Sequence, residues 1–263
     1  MDTYPIAPKM NAEMNILKLP VNQVGVPEVL AFFEKVILSG EKAIVLSLNV
    51  NCVNLALKHA WLNQFINQVQ LVYCDGDGVR MGLKILGYEP PPKITYNVWL
   101  WQIAEFSERK GFTLFFLGAK PGIAEEAKER LLQKYARLKV VGVHHGYFRK
   151  SGAENEQVLE IINQAKPDIL LVCFGMPEQE QWIRDNYEKT QAHVFIKGGA
   201  ALDYASGRLK KAPDFLISMK LEWFYRLLQE PRRLFKRYVI GNIYFLFKVL
   251  LEKWGVKLKY ERE

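Results

Sequence analysis

The sequence has few cysteines and lacks the segments that direct a chain into or across a membrane. Its three cysteines, Cys52, Cys74 and Cys173, lie far apart, with no C-x-x-C pair and no histidine at ligand spacing. This spacing favours reduced core residues of a cytoplasmic protein over a metal or redox site. The N-terminus lacks the basic start, apolar stretch and cleavage site of a secretory signal, so we expect no export.

Charge is distributed unevenly along the 263 residues, although the composition is typical of a globular chain. The net charge is +8, and 14 of the 36 Lys and Arg residues lie from Gly207 onwards, with only 6 of the 28 Asp and Glu residues. The first 206 residues therefore hold 22 of each sign. This division predicts a neutral ligand-binding body at 1–206 and a cationic helical appendage at 207–263 that meets an anionic partner.

Short apolar, β-rich segments recur along the body and alternate with helical patterns. The pattern at 122–138 places Ile123, Ala127 and Leu131 on one helix face, with Glu and Lys opposite. Strands buried on both faces and separated by amphipathic helices are typical of a mainly parallel, Rossmann-like α/β sheet with flanking helices. Strands are predicted at 43–50, 69–73, 113–118, 139–143, 168–175 and 193–199.

Ligands of a parallel sheet bind at the carboxyl ends of its strands, so we expect functional residues in the loops that follow them. The sequence "CDGDGV" presents Asp75 and Asp77 directly after the second predicted strand, between glycines that permit a tight turn. The spacing leaves three interpretations open. The loop is a polar turn in which Asp77 caps the next helix, a D-x-D motif that holds a divalent metal beneath a nucleotide diphosphate, or the site of a general base.

Three later loops also have unusual compositions. Gly118 and Gly122 frame a turn that opens an acidic helix and offers free N–H groups to a phosphate or carboxylate. The stretch "GMPEQEQW" begins at Gly175 and contains Gln179, which can donate and accept hydrogen bonds at once. The stretch "KGGAALDYASG" contains Asp203, which could hydrogen-bond a ribose or base, or could simply lie on a helix surface.

Taken in order, these motifs resemble those of the WecG/TagA/CpsF glycosyltransferases, over roughly residues 20–240. The shared order begins with T/S-x-N, D-G-x-G-V, G-x-x-P-G and G-Y-F. It continues with G-x-P-x-Q-E-x-W and G-G/A-x-x-D-x-x-x-G, and ends with L-E-W-x-Y-R and E-P-x-R. In this chain the motifs lie at Ser47 and Asn49, then at 75–79, 118–122, 146–148, 175–182, 198–207, 221–226 and 230–233.

The resemblance implies an inverting, metal-independent enzyme that needs no cofactor. Such an enzyme transfers a sugar of the N-acetylmannosamine type, or a related sugar such as a uronic acid, from a UDP donor. The acceptor is a polyprenyl-diphosphate-linked saccharide at the inner face of the cell membrane, and the product serves cell-surface polysaccharide synthesis. Members of the family occur as oligomers, so a homo-oligomer is possible.

The resemblance also assigns roles to individual residues. Asp75 is implied to be the general base that takes a proton from the acceptor hydroxyl, and Asp77 is its orienting or structural neighbour. Ser47 and Asn49 line the sugar and acceptor pocket. Tyr147 stacks on the uracil, whereas without the resemblance it would be a buried aromatic between sheet and helix. Asp203 bonds the nucleoside, while Gln179 and the amides of the loops at Gly118, Gly122 and Gly175 match the charge on the leaving diphosphate.

Two departures from the family pattern bear on substrate identity. Ser47 stands where the family commonly has threonine. The stretch "KITYNVW", with Lys93, Tyr96 and Asn97, replaces an arginine followed by a T-G/S-D pattern. Lysine keeps the charge but loses the bidentate fork of arginine, so the donor or acceptor of this enzyme could differ from the usual one.

The tail alternates basic and aromatic residues, and its longest apolar stretch is about nine residues around Asn242, against the roughly 20 that span a bilayer. We expect it to lie on an anionic membrane surface and to bind no nucleic acid, although binding of a nucleic-acid backbone and a core-packing helical hairpin are alternatives. By resemblance, Arg226 and Arg233 reach a substrate diphosphate. Truncation after Gly207 is expected to leave a folded body.

Overall fold

The main sheet confirms the predicted parallel α/β architecture. The computed structural model describes residues 5–219 and 221–256, and within them a hairpin of β1 (Met14–Ile16) and β2 (Leu19–Val21) precedes the sheet. The sheet strands are β3 (Ala43–Leu48), β4 (Leu71–Cys74), β5 (Thr113–Gly118), β6 (Lys139–His144), β7 (Ile169–Cys173) and β8 (Val194–Lys197). They are parallel and lie in the order β4-β3-β8-β7-β5-β6, each on a segment that the sequence predicts.

Helices connect the strands and cover both faces of the sheet. Those of the body are α1 (Val26–Ser39), α2 (Val50–Lys58), α3 (Ala60–Gln68), α4 (Asp77–Leu86), α5 (Tyr96–Lys110), α6 (Ile123–Lys134), α7 (Ala153–Ala165), α8 (Glu178–Asn186) and α9 (Ala201–Ala205). The tail contains α10 (Asp214–Ser218), α11 (Glu222–Gln229), α12 (Pro231–Phe235), a π-helical turn (Lys236–Ile240) and α13 (Gly241–Lys253).

The core consists of two apolar clusters, one on each face of the sheet. Successive side chains of a strand point to opposite faces, so Leu114 and Phe116 of β5 join one cluster while Phe115 and Leu117 join the other. This two-sided burial explains why the inner strands of the sheet are mostly apolar and do not alternate with polar residues; Ser47 and Lys197 are buried polar exceptions. The amphipathic helix predicted at 122–138 is α6, which buries Ile123 in the first cluster.

Gly118 allows the end of β5 to approach β7 closely. Its φ is +140°, and a Cβ added there would lie 2.4 Å from the carbonyl oxygen of Cys173. The N–H of the next residue, Ala119, donates to that same carbonyl at 3.0 Å. Any side chain at position 118 would therefore displace the turn that follows β5 from the edge of the sheet.

The last helix of the tail packs into the body. Phe245 and Val249 of α13 are buried in the same apolar cluster as Ile16 of the hairpin. At Gly82 of α4, an added Cβ would lie 2.6 Å from Ile16 and 2.8 Å from the Phe245 ring, so the three elements fit closely. Glu252 also accepts a hydrogen bond from the backbone of the β1–β2 turn at 2.9 Å. This packing ties α13 to the hairpin and to α4.

In this respect the tail differs from the separable appendage predicted at 207–263. The tail is helical, as predicted, but truncation after Gly207 would remove Phe245 and Val249 from the core of the body. We therefore expect truncation to destabilise the body, because deletion of buried apolar side chains loses both transfer free energy and packing. The core-packing interpretation of the tail holds for α13.

The tail also carries exposed apolar side chains, both on α13 and on the helices before it. No helix among residues 5–219 and 221–256 is both long and apolar enough to cross a bilayer. We define the tail surface as the exposed Phe215, Met219, Trp223, Phe224, Leu228, Phe235, Ile240, Ile243, Phe247 and Trp254. A concentration of this kind on one segment is typical of a contact with another surface.

The packing of α13 predicts different effects for two phenylalanines of the same helix. Phe245 is 1% exposed, so Phe245→Ala should lower the free energy of unfolding by about 3–5 kcal/mol. Phe247 is 55% exposed, so Phe247→Ala serves as the control and should change it by about 0.5 kcal/mol or less. Urea denaturation of the full chain measures both values. Equal effects of the two substitutions would contradict the packing of α13.

Candidate active site

A cavity opens at the carboxyl edge of the sheet, where the sequence predicts the ligand site. Its volume is about 1720 Å³, whereas pockets for a single small ligand commonly have about 300–1,000 Å³. Residues that follow each strand of the sheet line it, because parallel strands all end at this edge. The tail forms a further wall through Trp223, Tyr238 and Ile243. Body and tail therefore share the cavity.

Asp75 lies in the wall of this cavity, directly after β4. Its backbone N–H donates to the carbonyl oxygen of Leu48 at 2.9 Å, which holds the ends of β3 and β4 together. Its side-chain oxygen Oδ2 accepts a hydrogen bond from Asn49 Nδ2 at 3.0 Å. Asp75 is only 9% exposed, and this burial raises the pKa of its carboxyl from 3.8 to about 6, although the bond from Asn49 opposes the shift.

Asn49 is held in place by the start of α2. It is the N-cap residue of that helix, and its Oδ1 accepts a hydrogen bond from the backbone N–H of Cys52 at 3.0 Å. Because Oδ1 is occupied in this way, the amide nitrogen is directed towards Asp75. A side chain capable of both donating and accepting is required here, and Asn49 satisfies both demands.

Asp77 belongs to a different network from Asp75. It is the first residue of α4, whose N-cap is Gly76, so the interpretation of Asp77 as the cap residue is wrong. Its carboxylate pairs with Lys93 at 2.9 Å and with Arg80 at 3.5 Å. In the described part of the chain, no group of three or more His, Cys, Asp and Glu side chains is placed to hold a metal ion. The two aspartates therefore have different electrostatic surroundings.

Ser47 and Lys93 lie behind the cavity wall. Ser47 is fully buried in β3, and its hydroxyl meets that of Tyr96, which does line the cavity. Ser47 therefore does not line the cavity, contrary to what the resemblance implied, but lies behind Tyr96. Lys93 bridges Asp77 and, at 3.4 Å, Glu222 of α11 in the tail. Lys93 thus connects the aspartate loop to the tail.

The loops after β5, β6 and β7 form the other end of the cavity. Tyr147 lines it and is 63% exposed, so it is not the buried aromatic of the alternative interpretation. Gly175 also lines the cavity, with φ +91°, and its carbonyl accepts the N–H of Gln179 at 2.9 Å. Gly118 and Gly122 do not line it themselves, but residues of the turn between them do.

Asp203 of α9 lies close enough to Arg226 of the tail to be affected by its charge. Burial raises the pKa of Asp203 above its usual value, although the positive charge of Arg226 opposes this shift. Arg226 and Arg233 line the cavity and both donate to the carboxylate of Glu230. The structure thus brings these predicted residues together in the lining of the cavity that also contains Asp75.

Several residues of the site were not singled out from the sequence. Glu222 accepts hydrogen bonds from Lys93 and, at 2.7 Å, from Asn97. Arg237 lines the cavity and its charge acts on Asp75. Beneath the floor, Lys197 forms a buried ion pair, and the only sequence signal for it was a lysine that ends an otherwise apolar strand.

A cavity at the carboxyl edge of a parallel sheet, with a buried carboxyl group of raised pKa in its wall, is typical of an enzyme active site. The chain belongs to the glycosyl transferase WecG/TagA/CpsF family, whose model matches residues 14–259. It is therefore a glycosyltransferase, and the resemblance seen in its motifs is confirmed.

Curated relatives include proteins of Staphylococcus aureus strains MW2 and MRSA252. Each is 30% identical over 216 residues, which cover 81% of this chain and 82% of the relative. Both carry the name N-acetylglucosaminyldiphosphoundecaprenol N-acetyl-beta-D-mannosaminyltransferase.

Proposed function

We propose that this glycosyltransferase moves a sugar from a UDP donor to a hydroxyl of a polyprenyl-diphosphate-linked saccharide, with inversion and with Asp75 as general base. The observation that carries the proposal is the Asp75 carboxyl, which is nearly buried in the wall of the cavity and held by Asn49. The names of the relatives describe N-acetylmannosamine transfer to an undecaprenyl-diphosphate-linked N-acetylglucosamine. An N-acetylmannosamine-type or related donor sugar, in cell-surface polysaccharide synthesis, is accordingly proposed here.

In the proposed reaction, the acceptor oxygen attacks the anomeric carbon of the donor sugar as Asp75 takes its proton. The bond from the anomeric carbon to the β-phosphate oxygen of UDP breaks, and its electron pair leaves with the diphosphate. One displacement inverts the anomeric configuration. A carboxylate with a pKa of about 6 is largely ionised at neutral pH and is still basic enough to accept the proton of the acceptor hydroxyl, which suits this role.

The donor fits the end of the cavity formed by the loops after β5, β6 and β7. The exposed ring of Tyr147 is available to stack on the uracil, and Asp203 to bond the nucleoside. N–H groups of the turn at 118–122 are proposed to meet the diphosphate, whose negative charge grows as the bond breaks, while the fully buried amide of Gln179 supports the cavity floor by accepting the N–H of Gly199. The acceptor would then occupy the end of the cavity that lies nearer the tail.

The size and composition of the cavity support a second substrate beside the donor. A volume of about 1720 Å³ exceeds what one nucleotide sugar requires, and the tail wall combines apolar side chains with arginines. A guanidinium can pair with two phosphate oxygens at once, so Arg226 and Arg233 are proposed to hold a diphosphate. The apolar Trp223 and Ile243 then face the first part of the polyprenyl chain.

The tail is proposed to place the enzyme on the inner, cytoplasmic face of the membrane as a peripheral protein. The tail surface exposes aromatic and aliphatic side chains, and the segment from Gly207 onwards carries the net positive charge of the chain. Each basic residue near an anionic lipid surface contributes about 1 kcal/mol of attraction. The wall of the cavity would then lie next to the lipid that carries the acceptor.

Asp75→Asn should lower kcat/KM about 10²–10⁴-fold in a transfer assay and leave UDP affinity unchanged, because an amide cannot accept the proton. In the unmodified enzyme, kcat/KM should fall as the pH drops through about 6, since protonated Asp75 cannot act as base.

The donor sugar is identified by mass spectrometry of the transfer products. The enzyme is incubated with a short-chain lipid-diphosphate saccharide and, in turn, with UDP-N-acetylmannosamine, its uronic acid, UDP-glucuronic acid and UDP-glucose.

Asp77→Asn is the matched control for Asp75→Asn. It makes the same change two residues away, but in the network of Lys93 and Arg80, so its activity should fall far less. Calorimetry should show both variants folded. A near-normal rate for Asp75→Asn would make Asp77 the candidate base.

Metal independence is proposed from the separation of the two aspartates. Asp77 is neutralised by Lys93 and Arg80, while protein donors and arginines meet the diphosphate. Activity should therefore survive exhaustive treatment with EDTA. Loss of activity that Mn²⁺ or Mg²⁺ restores would identify "DGDG" as a metal motif and replace this part of the proposal.

Sedimentation with lipid vesicles tests the membrane contact. The enzyme should bind anionic vesicles at low salt and bind less at high salt, since salt screens the attraction. The double variant Phe215→Ser/Leu228→Ser removes two side chains of the tail surface. Its affinity for the vesicles should fall by about tenfold or more. Leu38→Ser, at an exposed position on α1, is the control and should bind normally. Equal binding by both variants would rule out the tail surface as the contact.

A further inference from the structure

A buried ion pair lies directly beneath the floor of the cavity. Lys197, the last residue of β8, places its Nζ 2.8 Å from Glu180 Oε1 in α8, and both side chains are 0% exposed. In the described part of the chain, the second carboxylate oxygen of Glu180 has no hydrogen-bond partner, which adds to the cost of burial. Apolar replacements of a buried pair are often neutral or stabilising, so stability alone does not require this one.

The Lys197 ammonium joins three segments of the chain. Besides Glu180, it lies 3.3 Å from Cys52 Sγ in α2 and 3.8 Å from Met176 Sδ in the loop after β7. Burial lowers the pKa of Lys197, but the Glu180 carboxylate and the hydrogen bonds to Glu180 and Cys52 outweigh that effect and raise it, so the side chain stays charged. The segments that carry Gln179 and Asn49 therefore share one buried positive charge.

One chain of contacts leads from the pair to Gln179. Glu180 Oε1 accepts a hydrogen bond from Gln179 Nε2 at 3.3 Å, in addition to the bond from Lys197. At the other end of the amide, Gln179 Oε1 accepts the backbone N–H of Gly199 at 3.1 Å. The ion pair thereby fixes the orientation of the Gln179 amide, with its nitrogen towards Glu180 and its oxygen towards Gly199 at the cavity floor.

A second chain of contacts leads to Asp75. The Cys52 residue that touches Lys197 also donates its backbone N–H to Asn49, which in turn donates to Asp75. The charge of Lys197 acts on Asp75 directly as well, and lowers its pKa against the larger effect of burial. Arg237 acts in the same direction and Glu222 in the opposite one.

We infer that the Lys197–Glu180 ion pair is a positioning element of the active site, which holds the Gln179 amide against Gly199 of the cavity floor and sets the charge environment of Asp75. The inference rests on the proposed function, because Gln179 and Asp75 take their roles from it. Neither member of the pair lines the cavity, so both act through other residues.

The double variant Lys197→Met/Glu180→Leu tests the inference, because it removes both charges at similar volume. Its melting temperature should equal or exceed that of the unmodified enzyme. Its kcat should fall about 10²-fold from misplacement of the reacting groups, with KM little changed. The acid limb of the kcat/KM pH profile should move to higher pH by about 0.5–1 unit, because the charge of Lys197 lowers the pKa of Asp75 and its loss should outweigh the opposite effect of losing Glu180.

Lys42→Met is the matched control. Lys42 is also buried, but it lies just before β3, away from the cavity, where its ammonium donates to backbone carbonyls of Tyr187 and Thr190. Its loss should lower stability and leave kcat and the acid limb unchanged. A double variant of the ion pair with normal kcat and a normal acid limb would overturn the inference.

If the apolar variant does not fold, Lys197→Gln/Glu180→Gln replaces it, because this pair keeps hydrogen bonding without charge. This variant must still shift the acid limb of the kcat/KM pH profile to higher pH, and an unshifted profile overturns the inference. If the unmodified enzyme transfers no sugar, the proposed function is wrong, and ¹³C NMR titration of Asp75 decides the inference without substrate. The Asp75 pKa should be higher in the double variant, and an unchanged value overturns the inference.

Discussion

The carboxyl group of Asp75 is buried where β3 and β4 end, and the organisation of the site depends on how that burial is compensated. An ionisable group with so little exposure is unfavourable unless hydrogen bonds and charges support it. The Asn49 amide provides the hydrogen bond, and the first turn of α2 fixes that amide in turn. Compensation is partial, so the pKa of Asp75 stays near 6, where a carboxylate can act as a base at neutral pH.

The same need for charge compensation explains why two aspartates only two positions apart have different electrostatic surroundings. Asp75 faces a neutral amide, whereas Asp77 at the start of α4 is neutralised by two cations. Lys93, one of those cations, also binds Glu222 of the tail. Charge compensation at the aspartate loop therefore extends to the tail and fixes one wall of the cavity.

The tail combines roles that are usually divided between separate segments. Its last helix belongs to the core through Phe245, while α11 contributes Glu222 and Trp223 to the cavity. The side chains of the tail surface remain exposed beside these contacts. A membrane contact made by this segment would thus be coupled mechanically to the cavity wall that the tail forms, because both belong to one packed unit.

The sequence by itself determined the strands, their parallel arrangement and the loops that carry the site, because these follow from local apolar periodicity and from the order of short motifs. It placed Asp75, Asn49, Tyr147 and Gln179 at strand ends, and each lines the cavity. Only the tertiary structure decided that Ser47 lies behind Tyr96 and that α13 completes the core. It alone also joined Lys93 to Glu222, 129 positions apart, and Lys197 to Glu180. Such pairs depend on how distant segments pack against one another, and no local pattern of residues encodes that geometry.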